Sequence, residues 1–199
     1  MWSAERHKLP AFRGVGRDHS IFPTTVTQLA RNPLRSDDPQ GGTLAPAMGR
    51  YLESDIVDWY RAHTVFLPGE RAFVEDLERH RARRLLDIGV GAGRTTEYFA
   101  GLADEYVGLD LSPAMVEACG ARFPDVRFEV ADVRDLSRFP DGSFDVVLFS
   151  FNGVDCVGSD ADRQRAFAEM RRVCAEGGRL FFSSKNLNQF LEDAALHAT

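Results

Sequence analysis

Three aspartates and an alternating set of glycines are the residues in this chain best suited to ligand chemistry. Gly89, Gly91 and Gly93 follow directly on Asp87 in RLLDIGVGAGR, while Asp110 and Asp132 close the apolar runs EYVGLD and VRFEVAD. A glycine-rich turn leading into a helix commonly holds nucleotide phosphates on its backbone amides. A carboxylate at the entrance of the turn opposes that use, because it repels a pyrophosphate. The spacing opposes it too. Here G-x-G-x-G runs into Arg94, whereas dinucleotide sites carry G-x-G-x-x-G, and no GKS or GKT follows. Without a YxxxK pair either, a nicotinamide-dependent reductase is disfavoured.

A nucleoside carrying an amino group and a positive centre suits the three acids better, and S-adenosylmethionine is such a molecule. Asp87 favours its ammonium end, directly or through water. The glycines admit the aminoacyl chain without Cβ clashes, and the amides near Gly93 and Arg94 receive its carboxylate. Asp110 accepts from the ribose hydroxyls, the duty of an acid at the end of a second strand in other nucleotide folds. Asp132 accepts from the adenine amino group, the Val133 amide faces a ring nitrogen, and Leu111 and Met115 wall the base.

The elements that must position these residues alternate along the chain. YLESDIVDWYRAH and ERAFVEDLERH read as helices from the spacing of their apolar residues. RRLLDI, EYVGLD, VRFEVAD, SFDVVLFSF and RLFFSS read as strands, separated by helical stretches at GRTTEYFAGL, SPAMVEACGAR and DRQRAFAEMRRVCAE. Ser112 and Pro113 are set to open the second of these helices as N-cap and first residue. Gly177–Gly178 are expected to stop the third. Such alternation predicts an α/β fold, a doubly wound, mostly parallel sheet with helices on both faces. Ligands of such sheets sit beyond the carboxyl ends of the strands, where the aspartates and Ser150 fall. Residues 1–50 differ in texture: they are rich in Pro, Gly, Ser and Thr and are expected to form an arm or linker, with SIFPTTVTQLA as an edge strand.

These motifs, in this order, resemble the class I S-adenosylmethionine-dependent methyltransferases. DIGVGAG is similar to that family's acid-x-G-x-G-x-G motif, GLDLSPAMVE to its second-strand motif and VADVRDL to its adenine motif. FDVVLFSFNGVD resembles the segment lining its methyl-transfer site, and EMRRVCAEGGRLFFSS a helix-turn-strand written R-V-L-x-P-G-G, with Glu176 in place of the proline. The resemblance implies a Rossmann-like core in residues 51–199, with lid helices in 51–80. It also implies methyl transfer to a small-molecule acceptor, with S-adenosylhomocysteine as product. Asp155 and His63 are the candidates for removing a proton from the acceptor, Asn152 for orienting it, and Phe149 and Phe151 for an apolar wall. The family's sheet ordinarily continues past the fifth strand, whereas NLNQFLEDAALHAT allows one more helix. Truncation or a shortened variant is the preferred explanation, and strand exchange in a homodimer or cover by the N-terminal arm are the others. A catalytically inactive, cofactor-binding regulatory or assembly protein is the alternative function.

Bulk properties narrow the classes further. A net charge of −6 and a pI near 5.4 give no generic attraction to nucleic acid. No apolar run approaches the ~20 residues needed to span a bilayer. The histidines show no metal-ligand spacing, and Cys119, Cys156 and Cys174 are odd in number and widely spaced, which fits reduced thiols in a cytoplasmic protein.

Overall fold

The computed structural model describes residues 54–62, 68–80 and 82–184, all within the unit Ser36–Thr199. Expectations placed on 1–50, on Tyr51 and His63, and on NLNQFLEDAALHAT lie outside the described residues. Two helices come first, α1 (Ser54–Ala62) and α2 (Pro68–Arg79). Then β1 (Ala82–Ile88), a short α3 (Thr96–Phe99) with a 3-10 turn at Ala100–Leu102, β2 (Ala103–Asp110) and α4 (Pro113–Arg122). β3 (Arg127–Val130), β4 (Phe144–Phe149), a one-turn α5 (Gly153–Cys156), α6 (Asp160–Val173) and β5 (Cys174–Phe182) complete the set.

The strands form one sheet in the order β3-β2-β1-β4-β5, and every neighbouring pair is parallel. The order reverses between β1 and β4, so the ends of β1 and β4 flank the switch point where ligands of such sheets bind. Both sheet faces are buried, which is why β1, β2 and β4 read as almost unbroken apolar runs. Leu86, Val107, Val147 and Phe149 pack on one face with Ala166, Met170 and Val173 of α6. Leu85, Tyr106, Val146 and Leu148 pack on the other with Phe73 and Leu77 of α2 and Phe99 of α3. β4 changes phase on the way. Phe144 shares a face with Val147, not with Val146, because the β4–β5 pairing carries an irregularity between Phe144 and Val146. Asp145, at that break, accepts the Arg83 and Arg84 amides through Oδ2 at 3.0 and 2.8 Å and ties the start of β1 to β4.

Local chemistry sets the helix starts. Ser112 caps α4 with its hydroxyl accepting the Met115 amide, Pro113 following in the first turn. Ser159 and Asp162 form a reciprocal capping box on α6. Two expected boundaries move. The helix after the glycines begins at Thr96 because Gly91 and Gly93 hold φ of +55° and +81°, left-handed values that a right-handed helix does not accept. α6 ends at Val173 rather than running to the glycine pair. Cys174 turns extended and pairs with Phe144, so Gly177 and Gly178 lie inside β5, in the irregular stretch before Arg179 rejoins Val146.

Candidate functional site

A cleft of about 140 Å³ opens at the carboxyl ends of β1 to β4. The turn after β1 supplies Gly89, Val90, Gly91, Arg94 and Thr95, and the end of β2 supplies Asp110, Leu111, Ser112 and Met115. Ala131, Asp132, Val133 and Arg134 follow β3, while Phe149, Ser150 and Phe151 come from the end of β4. Tyr60 of α1 closes the remaining side. Every sequence-predicted cofactor residue among these except Asp87 and Gly93 therefore lines a common cleft.

Asp110 is held ready to accept. Its Oδ2 receives the Gly91 amide and its Oδ1 the Ser112 amide, both at 2.9 Å. Each carboxylate oxygen has two acceptor sites, so each keeps one for a donor in the cleft. Burial pushes this carboxyl above the usual range, and the backbone donors pull it partly back. Asp132 is differently placed. The Arg134 guanidinium forks onto both its oxygens, at 3.0 Å from Nε and 2.6 Å from Nη2, and holds its carboxyl below the usual range. Arg134 also reaches Asp162 at the start of α6, at 3.1 Å.

Asp87 requires a correction. It sits one residue before the end of β1, is 1% exposed and does not line the cleft. Its Oδ2 accepts from the Thr95 hydroxyl at 2.7 Å and the Tyr106 hydroxyl at 2.6 Å, and the Thr96 hydroxyl joins Tyr106 at 3.1 Å. Its Oδ1 is buried with no hydrogen-bond partner. Burial raises its pKa to about 6 despite the Tyr106 and Thr95 bonds. The acid therefore lies beneath the turn and fixes Thr95.

The glycines also serve differently from expectation. A Cβ on Gly91 would stand 3.3 Å from the Tyr60 ring, and one on Gly93 only 2.6 Å from the Phe123 ring. At these positions the missing side chain makes room for packed aromatics, and the positive φ bends the turn. The backbone amide of Gly93 is spent on Val90 and that of Gly89 on Leu109. Arg94, expected to offer its amide, also contributes a side chain: it is 6% exposed and makes two hydrogen bonds to Glu70 of α2, at 2.7 and 2.5 Å. Its Nη2 also donates to Ser150 Oγ at 3.4 Å, and the guanidinium lies 4.4 Å from the centre of the Phe151 ring.

On the β4 side, Phe151 and Asn152 hold φ of +54° and +60°, left-handed values uncommon for an aromatic. The Phe151 ring meets Tyr60 edge-on at 6.3 Å. Asn152 and Asp155, expected to serve the acceptor, do not line the cleft. The Asn152 backbone N–H donates to the Ser183 hydroxyl at 2.9 Å and the Asp155 carboxylate accepts from the Ser184 hydroxyl at 2.8 Å, because the one-turn α5 turns both towards the end of β5. Cys156 lines the cleft in their stead. Glu70, Thr95, Tyr106 and Arg134 escaped the sequence. Tyr106 carried a weak signal, a hydroxyl inside an apolar strand, and the others none.

Among the described residues no helix is long and apolar enough to cross a membrane, and no cluster of His, Cys, Asp or Glu is arranged to hold a metal ion. Residues 86–182 match the family model of a methyltransferase domain. An uncharacterized methyltransferase, YcgJ of Bacillus subtilis, is 31% identical over 133 residues, 63% of this chain and 51% of that protein. The demethylmenaquinone methyltransferase of Thermus thermophilus is 38% identical over 112 residues, 53% and 49% of the two chains. Among solved structures, the S-adenosylmethionine-bound CalS10 of Micromonospora echinaspora, an amino pentose methyltransferase, is similar with TM-score 0.52 and 28% identity over 76% of this chain and 60% of that one. The chain spans about half the length of the curated relatives it matches. In sequence and in fold, residues 86–182 resemble the methyltransferase domain of the class I, S-adenosylmethionine-dependent enzymes.

Proposed function

We propose that this protein transfers a methyl group from S-adenosylmethionine to a small-molecule acceptor. The observation that carries this reading is Asp110, fixed by two amides at the end of β2 with an acceptor site left on each oxygen, in a cleft walled by the ends of β1 to β4. Two acceptors on one rigid carboxylate suit a ribose diol. Leu111, Met115, Ala131 and Val133 supply apolar surface beside it for a base, and the charge of Asp87 beneath the turn favours a cationic aminoacyl end. Asp132, whose oxygens take the Arg134 guanidinium and backbone amide in the free cleft, meets an exocyclic amine by giving up part of that fork. When bound, S-adenosylmethionine supplies a methyl on a positive sulfur whose leaving group is a neutral thioether. The protein's share is to orient the acceptor about 3 Å from that carbon and to keep water out. Phe149, Phe151, Tyr60 and Ser150 are the residues we assign to that wall. Two of the relatives named above are, by their names, a demethylmenaquinone methyltransferase and an amino pentose methyltransferase, which supports a small acceptor here. The division into an arm (1–50) and a methyltransferase domain (51–199) belongs to the same proposal.

Calorimetry with S-adenosylmethionine, S-adenosylhomocysteine and NADH tests the reading. Micromolar binding of the first two and none of the third is expected. Failure of the first two to bind sinks it. Tight binding with no methyl loss across a broad panel of small acceptors favours a regulatory protein instead.

A further inference from the structure

We propose that Glu70 sets the charge preference of the cleft: by cancelling Arg94 it allows a sulfonium ligand to bind beside a fixed guanidinium. This rests on the S-adenosylmethionine reading above and goes further, because it assigns a residue outside the cleft to discrimination between the cofactor and its product.

Arg94 lines the cleft and is nearly buried, and a guanidinium does not shed its proton. Left alone, it would set a permanent positive charge in the wall of a site meant for a cation. Coulomb repulsion at a poorly solvated wall acts over many ångströms. Glu70, 1% exposed on α2, meets Arg94 with both oxygens at 2.7 and 2.5 Å. A buried ion pair contributes little net stability, since both charges lose their water, so stability alone is a weak reason for the pair. The other cleft arginine is treated alike. Arg134 is held by Asp132 and Asp162. With both cations tied to carboxylates, Asp110, whose partners are backbone amides, leaves the cleft with an excess of negative charge. S-adenosylmethionine and S-adenosylhomocysteine differ at sulfur by one methyl and one positive charge, and they report on that excess directly.

The test is the ratio of the two affinities, measured by calorimetry at pH 8. In Glu70→Gln, S-adenosylmethionine loses about tenfold more affinity than S-adenosylhomocysteine. Arg94→Met moves the ratio the opposite way, because the unpaired carboxylate attracts the sulfonium. The double variant Glu70→Gln/Arg94→Met returns the ratio to within about threefold of wild type, as expected for cancelling charges. Thermal melts accompany each protein, because a buried charge left alone is destabilising. Should Glu70→Gln fail to fold, Arg94→Met and the double variant carry the test. A pair that only braces α2 weakens both ligands equally. An unchanged ratio in Arg94→Met and in any folded Glu70→Gln overturns the proposal. Failure of wild type to bind either ligand strikes the methyltransferase reading instead, so the two failures are distinct.

Discussion

The two sides of the cleft are built by different physics. At the ends of β1, β2 and β3 the polar side chains are fastened by hydrogen bonds: Asp110 by two amides, Asp132 by Arg134, Asp87 by Thr95 and Tyr106. At the end of β4 there is backbone strain and aromatic surface: Phe151 and Asn152 in the left-handed region, with the Phe151 ring between Arg94 and Tyr60. A fastened acceptor costs nothing to organise when a ligand arrives, and its geometry suits one invariant molecule. A wall of rings is retuned by replacing a side chain, with little effect on the fastened side. Under the proposed function, the first half holds the methyl donor and the second the acceptor.

The largest effect expected from breaking this division is at Asp110. Asp110→Ala removes both acceptors and orphans the Gly91 and Ser112 amides, and S-adenosylhomocysteine affinity should fall about 10³-fold by calorimetry. An affinity within tenfold of wild type would falsify the fastened-acceptor account. Next comes Asp87. Its folded pKa, about 6, lies above the ordinary 3.8, so the folded state holds the proton more tightly. The stabilising contribution is complete below about pH 4 and is lost as pH rises through about 6. Thermal melts from pH 4 to 7 should therefore show wild type losing ground to Asp87→Asn, by on the order of 3 kcal/mol. A flat difference removes the buried-acid assignment. At Phe151, replacement by Ala should lower kcat/KM for the acceptor about tenfold while S-adenosylhomocysteine affinity stays within about threefold. Equal losses in both measurements erase the contrast between the halves. The smallest change sharpens the strain argument: Asn152→Gly should raise stability by about 0.5 kcal/mol, read as a small rise in Tm.

How well each half could be read from the sequence follows the same line. The turn after β1, the acid closing β2 and the cap of α4 are local patterns, written within a few consecutive residues, and each appears where the spacing places it. What stayed hidden was pairwise and remote. Glu70 finds Arg94 across 24 positions and Arg134 finds Asp162 across 28, and no periodicity announces such meetings. Asp87 was recognised as chemically special but assigned to the wrong side of the turn, because strand alternation says nothing about which partners occupy a carboxylate. The phase change at Asp145 was invisible for a different reason. With both faces of β4 buried, an apolar run looks the same before and after a slip of one residue. Asn152 and Asp155 were placed near the methyl-transfer wall by their nearness in sequence to β4, and the left-handed turn carries them away from it.

One thiol beneath the glycine turn offers a practical handle. Cys119 of α4 is fully buried, donates to the Gly91 carbonyl at 3.1 Å, and burial pushes its pKa to about 12. Alkylating reagents attack the thiolate, so this cysteine stays silent while α4 and the turn remain together. Its labelling rate in the native protein thus counts the moments when the two part, and a donor nucleoside that pins the turn through Asp110 should slow the clock.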